Sequence, residues 1–250
     1  MGKKIVITLS GGMDSVVLLH KAAEIADEVY TITFDYNQRH NRELDNILDQ
    51  LLHVRSLYDN VKFYNTKLDT KFIKDIAPTS SLTNDDIDTP NVKDVMGEAQ
   101  PKSYVPFRNL MFLSMICSHA EAVGADEVWY GAAQADSLAG YWDGSEEFIE
   151  QINRVTALNR ENRITVKAPL IEMSKKEIIE EGVRLNVDFS LTYTCYSGEY
   201  PCDAESASSA LRLKGFVEAG YKDPLQYKQQ EKLEQVYRDN NCIDINNRSD

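Results

Sequence analysis

The sequence predicts an α/β protein, a doubly wound parallel sheet with a small helical lobe at its C-terminal end. Three observations carry this reading. Short β-branched runs alternate with segments of helical periodicity through most of the 250 residues, the pattern of successive βαβ units. The first run, residues 3–9, passes directly into the glycine- and serine-rich turn 10–15 (SGGMDS) and then into a helical segment. In such sheets ligands gather at the carboxyl ends of the strands. The alternation stops after about residue 190, which divides the chain into an α/β domain, 1–190, and a C-terminal lobe, 191–250.

The elements follow in order. Residues 3–9 (KKIVITL) form a short β-branched run and read as a buried strand. Residues 14–26 have helical spacing, and 28–36 (EVYTITFDY) make the second strand. In 41–57, Leu44, Ile47, Leu48, Leu51 and Leu52 recur at three- and four-residue steps, an amphipathic helix. Residues 61–68 are the third strand. From 77 to 102 the pattern dissolves into Pro, Ser, Thr, Asn, Asp and Gly, a long mobile loop of the kind that forms active-site lids. An apolar helix, 109–125, ends near Gly124 and leads into the strand 126–132. The helix 146–159, the strand 163–171 and the helix 175–187 follow, and 223–240 reads as a terminal helix.

Composition narrows the function. Asp plus Glu number 40 against 27 Lys plus Arg, a net charge of -13. Nucleic acids and anionic membranes need a basic footprint, so neither is an expected partner, although a small basic pocket for a nucleotide remains compatible. No run approaches the roughly 18 apolar residues of a membrane span, and the opening stretch is shorter than a signal-peptide core. Four cysteines are too few for a secreted disulfide scaffold, so the expected location is a reducing cytoplasm.

The segment 10–15 is the strongest motif. Gly11 and Gly12 let the backbone turn tightly and approach a ligand. The amides of the turn and of the helix start form an anion nest, and Ser10 and Ser15 add hydroxyl donors. A phosphate suits these donors and an apolar ligand does not. The bland alternative is a strand–helix turn capped by Ser or Asp. The sequence holds neither a Walker motif nor G-x-G-x-x-G. Further along, Ser174 and Glu177 fit a capping box, and Lys175 in the same turn reads equally as solvated or as a phosphate contact.

The turn resembles the pyrophosphatase loop of the N-type ATP pyrophosphatases. Further stretches are similar, in order, to 7-cyano-7-deazaguanine (preQ0) synthases: FDYNQRHNRE (34–43), TSSLT (79–83), YVPFRN (104–109), GAAQADSLAGYWD (131–143), APLIEMSKKEII (168–179) and TYTCY (192–196). The resemblance runs to about residue 227. It implies a Rossmann-like ATP pyrophosphatase domain and an ATP-dependent C–N ligase that needs Mg²⁺. Such an enzyme adenylates the carboxylate of 7-carboxy-7-deazaguanine, releases pyrophosphate, admits ammonia to form the amide and uses a second ATP to reach the nitrile. It also implies a homodimer, to which Leu225, Leu233 and Val236 of the last helix would contribute. Two alternatives stay open: transfer of the activated acyl group to an amine of a partner protein in antiphage defence, and a non-catalytic nucleotide-binding protein.

Carried over residue by residue, the resemblance assigns Ser10, Gly11, Gly12, Asp14 and Ser15 to the phosphates of ATP, with Asp35 and Tyr36 near the adenosine. Arg108 and Asn109 belong to the phosphates or the substrate carboxylate. Gln38, Arg39, His40, Asp136, Tyr141, Trp142 and Asp143 are assigned to the deazaguanine, where a carboxylate accepts the ring and amino protons and aromatic rings stack. Ser10, Asp14, Arg108 and Lys175 are the catalytic set. Taken alone, Arg39 and His40 read as surface residues, Arg108 equally as a contact to phosphate or substrate carboxylate and as an ordinary helix-start ion-pair partner, and the aromatics as core.

The same resemblance implies a structural zinc held by one cysteine of the T-x-x-C-Y segment and by three in C-x-x-C-x-x-C. The stretch 210–216 (ALRLKGF) sets the register and places those three positions on Asp203, Ser206 and Ser209. Cys195 stands where expected and Cys202 lies one residue early. Serine hydroxyls are poor zinc ligands, so the expectation is a metal-free relic of a zinc site, with packing or a partner in place of the metal.

Overall fold

In the computed structural model the described residues are 2–36, 46–84, 86–87, 102–194, 200–202 and 204–245. The β-branched runs become five strands: β1 Lys4–Thr8, β2 Glu28–Asp35, β3 Lys62–Asp69, β4 Glu127–Trp129 and β5 Thr165–Lys167. They form one sheet in the order β3-β2-β1-β4-β5, parallel throughout. β1 lies at the centre and is apolar on both faces, as a doubly covered parallel strand must be. Ile5 and Ile7 enter one apolar layer and Val6 the other. Thr31 and Thr33 are buried on β2 without loss, because their hydroxyls donate to Asn65 Oδ1 at 2.8 Å and to the Leu9 carbonyl at 3.0 Å.

The helices are α1 Met13–Ala23, α2 Ile47–Leu57, α3 Phe72–Ile76, α4 Arg108–Val123, α5 Gln134–Leu138, α6 Glu146–Thr156, α7 Lys175–Arg184, α8 Ala207–Glu218 and α9 Gln230–Asp239. α1, α2 and α7 cover one face of the sheet, and α4 and α6 the other. Gly124 caps α4 in the left-handed region, at φ 67, which ends that helix where expected. The chain steps outward from β1 to β3 and then returns to the opposite side of β1 as β4. This reversal opens a crevice between the carboxyl ends of β1 and β4, the ligand position of open α/β sheets. Two-residue strands, β6 Tyr221–Lys222 and β7 Ile243–Asp244, pair within the lobe. Among the described residues no helix is long and apolar enough to cross a membrane.

Several expectations are corrected. On α2 the buried stripe is Ile47, Gln50, Leu51 and Val54, while Leu48 and Leu52 are 68% and 61% exposed. The helix presents a narrow seam to α1 and the sheet, and those two leucines lie off it; Leu44 is outside the described residues. Of the segment expected as a mobile loop, residues 85 and 88–101 lie outside the described residues; at its described ends Ser80 Oγ donates to the Ser103 carbonyl at 3.1 Å, and Thr83 Oγ1 to that of Ala77 at 3.0 Å. The terminal helix starts at Gln230 rather than at residue 223, since the preceding stretch carries Pro224 and buries Asp223, Leu225 and Tyr227. Leu225 and Leu233 therefore belong to the chain's own core, with Tyr193, Cys202 and Tyr237, and only Val236 of the three proposed interface residues is exposed.

Candidate active site

β1 delivers the chain into the turn at the crevice. Gly11 takes φ 91, a conformation L side chains rarely adopt, and Gly12 caps α1 in extended backbone. The Gly12 N–H donates to Ser10 Oγ at 3.3 Å, the Ser10 and Ser15 hydroxyl oxygens lie 3.1 Å apart, and Ser15 Oγ donates to the Gly12 carbonyl at 2.9 Å. The turn thus places small donors at the positive end of α1, where an anion is stabilised.

Asp14, in the first turn of α1, accepts from Lys175 Nζ at 2.5 Å through Oδ2. Its Oδ1 is buried with no hydrogen-bond partner among the described residues. Lys175 is held by the start of α7, where the capping box forms: the Ser174 N–H donates to Glu177 Oε2 at 2.7 Å, and the Glu177 N–H to Ser174 Oγ at 3.3 Å. Burial opposes the Lys175 ammonium, but the carboxylates of Asp14 and Asp136 outweigh it and raise its pKa.

A cavity of about 260 Å³ opens beside the turn, bounded by Ser10, Gly12, Asp14 and Ser15 on one wall and by Asp136, Tyr141 and Asp143 on another. Phe34, Tyr36 and Phe112 give it an apolar side. Arg108 projects at the start of α4, after Phe107 has turned through the left-handed region at φ 53. Its Nη1 donates to the Tyr36 hydroxyl at 3.1 Å, and its Nε and Nη2 donate to Asn109 Oδ1 at 3.1 and 3.0 Å. The guanidinium lies 5.4 Å from the Tyr36 ring centroid, within cation–π range.

Asp136, on α5, accepts from the Ala133 N–H at 2.9 Å. Gly144 backs it closely, since a Cβ there would stand 2.7 Å from the Asp136 Cβ. Asp143 is 2% exposed, and its Oδ1 has no hydrogen-bond partner among the described residues. Burial raises both carboxyls above the usual aspartate value, opposed at Asp136 chiefly by Lys175 and at Asp143 by Arg108. Tyr141 is fixed by a 2.6 Å hydrogen bond between its hydroxyl and Ser103 Oγ. The cavity therefore offers donors on one wall, enclosed carboxylates on another and aromatic surface between them.

Two assigned residues lie elsewhere. Trp142 does not line the cavity: its indole N–H donates to the Tyr104 hydroxyl at 2.9 Å, and its ring packs against Phe107 and Phe148 at 5.5 and 5.3 Å. A 3-10 turn over Trp142–Gly144 sends successive side chains in different directions, so Asp143 turns inward and Trp142 outward. Asp35 ends β2 in an ion pair with Lys67 at 3.0 Å and does not itself line the cavity, although Tyr36 beside it does. Gln38, Arg39, His40 and Cys195 lie outside the described residues. The structure adds lining residues the sequence did not single out: Tyr130, Ser103, Phe112 and Thr194.

In the lobe, the serines standing at ligand positions serve a helix start. Ser206 caps α8, accepting from the Ser209 N–H, and the two hydroxyl oxygens lie 2.7 Å apart. Ser209 is fully buried and donates to the Ser206 carbonyl at 3.0 Å. Cys202 is also buried and bridges in β fashion to Tyr227. Cys202, Ser206 and Ser209 do not make a zinc donor set, and among the described residues no cluster of three or more His, Cys, Asp and Glu side chains is placed to hold a metal. Beside them sits an unforeseen ion pair. Arg212, fully buried, donates from Nε and Nη2 to the Asp223 carboxylate at 2.8 and 2.9 Å, and from Nη1 to Thr192 Oγ1 at 2.7 Å.

A family model described as queuosine biosynthesis protein QueC matches residues 4–220. A 7-cyano-7-deazaguanine synthase from Oceanobacillus iheyensis is 40% identical over 228 residues, 90% of this chain and 99% of that protein. One from Thermoplasma volcanium is 39% identical over 235 residues, 91% of this chain and 92% of that one. Among solved structures, a 4-thiouridine synthetase–RNA complex with bound ATP shares the fold, with a TM-score of 0.53 at 20% identity over 95% of this chain and 51% of that one.

Proposed function

The chain belongs to the QueC family of queuosine biosynthesis proteins, and from that premise we propose that it is an ATP-dependent ligase that converts 7-carboxy-7-deazaguanine and ammonia to 7-cyano-7-deazaguanine. One observation supports this above the others: a single cavity joins the Ser10–Ser15 anion nest to the enclosed carboxylates Asp136 and Asp143. A nucleotide's phosphates suit the first wall. The ring N–H and amino group of a deazaguanine suit the second, and Asp143 Oδ1 is an acceptor left open for them.

A carboxylate resists attack by ammonia because its oxygen is a poor leaving group. In the proposed reaction that oxygen attacks the α-phosphorus, pyrophosphate departs and an acyl-adenylate forms. Ammonia adds to the acyl carbon and AMP leaves with the oxygen, giving the amide. Adenylation of the amide oxygen by a second ATP, followed by loss of AMP and a proton, gives the nitrile. The chain's part is positioning and charge neutralisation. The nest amides and the Ser10 and Ser15 hydroxyls hold the departing pyrophosphate, Lys175 offsets its charge, and Arg108 steers the substrate carboxylate toward the phosphorus.

Mg²⁺ fits this site at Asp14, whose Oδ1 is buried without a partner among the described residues, an oxygen of the kind this cation takes. When bound, it would screen the phosphate oxygens. We further propose a zinc-free lobe, supported by the Ser206–Ser209 pair and the Arg212–Asp223 ion pair. On the same reading the protein is cytoplasmic and forms a homodimer.

The test is incubation of the purified protein with ATP, Mg²⁺, ammonia and 7-carboxy-7-deazaguanine. The expected result is release of AMP and pyrophosphate with a nitrile product by mass spectrometry. Absence of AMP under every condition would overturn the reading.

A further inference from the structure

We propose that Gln50 is a positioning residue for the phosphate turn, setting the direction in which the Gly12 amide presents its proton. The proposal rests on the reading of that turn as the cradle of the ATP phosphates.

Gln50 is 1% exposed on the seam of α2, a primary amide among Ile47, Leu51 and Val54. Burying an amide in apolar surroundings is unfavourable unless its groups are bonded. Its Nε2 donates to the Gly11 carbonyl at 3.1 Å and to the Leu191 carbonyl at 2.5 Å. The Tyr193 N–H reaches the same Gly11 oxygen at 3.3 Å. Two donors from outside the turn therefore hold the Gly11 oxygen, and Gly11 does not line the cavity although Ser10 and Gly12 on either side of it do.

The Gly11–Gly12 peptide is trans, the cis bond among the described residues being Tyr200–Pro201. In a planar trans peptide the C=O and N–H point in opposite directions. Holding the Gly11 oxygen against α2 thus turns the Gly12 N–H toward Ser10 Oγ, 3.3 Å away, and toward the cavity. A glycine at φ 91 has no side chain to resist rotation of that peptide. Rotated, it would offer a phosphate a carbonyl in place of a proton. The second bond, to Leu191, ties the same amide to the stretch that leads to Thr194 of the cavity wall.

Gln50 is also incompletely satisfied: its Oε1 is buried with no hydrogen-bond partner among the described residues. An apolar side chain of similar size would avoid that penalty, so a role in stability alone does not account for the amide.

Gln50→Met keeps the length and removes both donors. Calorimetric titration of the full chain with ATP, pyrophosphate and adenosine separates positioning from structure. The expected result is a Kd for ATP and for pyrophosphate about tenfold higher, as for one lost hydrogen bond to a charged group, with adenosine binding unchanged. Gln50→Asn, too short to span both carbonyls, is expected to show the same pattern and serves if the Met variant does not fold. Changes within about twofold for both phosphate ligands, or an equal loss for adenosine, would overturn the proposal. A wild-type protein that binds ATP but does not turn over the deazaguanine would undo the functional reading and leave this test standing.

Discussion

Asp14 and Lys175, 161 positions apart in the chain, meet through an ion pair 2.5 Å long at the edge of the phosphate turn. One lies in the first turn of α1 and the other in the first turn of α7, so the packing of those two helices brings them together. The pair keeps an ammonium beside the 10–15 turn, where the proposed reaction would share it with the departing pyrophosphate.

Lys175→Met should lower kcat/KM for ATP by about 100-fold, the scale for removing a charge that stabilises the departing group. Asp14→Asn should act comparably. Because the two residues share one contact, the losses of the two single variants should fall short of multiplying in the double variant. Steady-state AMP release measures all three, and multiplicative losses would show that they act independently.

Asp143 separates base recognition from ATP binding. Asp143→Asn should raise KM for 7-carboxy-7-deazaguanine about tenfold or more while KM for ATP stays within about twofold. A matching rise in both constants would assign Asp143 to the framework instead.

The same residue gives a pH-dependent stability. Burial raises the Asp143 carboxyl above 3.8. A raised folded-state value means its favourable contribution is complete below the ordinary aspartate range and is lost as pH rises through the folded value. Asp143→Asn should therefore stabilise the protein against urea at neutral and higher pH, with the gain shrinking toward pH 4. A gain independent of pH would contradict this.

The Arg212–Asp223 pair is fully buried on both sides. Removing one partner strands the other, so Arg212→Met should destabilise by about 3–5 kcal/mol. Adding Asp223→Leu should recover part of that loss, because no uncompensated charge remains. Thermal melting of the single and double variants tests the pairing.

If the Ser206–Ser209 pair replaces a metal, a chelator should leave the melting temperature unchanged and elemental analysis should find no stoichiometric zinc. Ser206→Ala should cost about 1 kcal/mol through loss of the α8 cap. A chelator-induced fall in melting temperature would restore a metal to the lobe.

Local chemistry was the legible part. The β-branched runs, the 10–15 turn, the Ser174 capping box and the Gly124 stop depend on neighbours a few residues apart, and the structure forms each of them. Contacts between distant segments were not legible. Nothing in the sequence pairs Tyr36 with Arg108, 72 positions away, or shows that Arg212 is buried. Side-chain direction within short turns was equally hidden, so Trp142 and Asp143 read as neighbours in one pocket although only Asp143 lines it. α8 was missed because its serines and glycine mask the helical period; its start is set by the Ser206 cap. On α2, five apolar residues suggested a wide stripe, but the seam against α1 uses only part of it.

The central claim is that the substrate carboxylate is activated by adenylation in the cavity beside Ser10–Ser15. The most direct test supplies 7-carboxy-7-deazaguanine labelled with ¹⁸O in its carboxylate and reads the AMP by mass spectrometry. Both AMP molecules released per nitrile should carry one ¹⁸O, taken first from the carboxylate and then from the amide. Unlabelled AMP, or label in inorganic phosphate with ADP formed instead, would contradict the account.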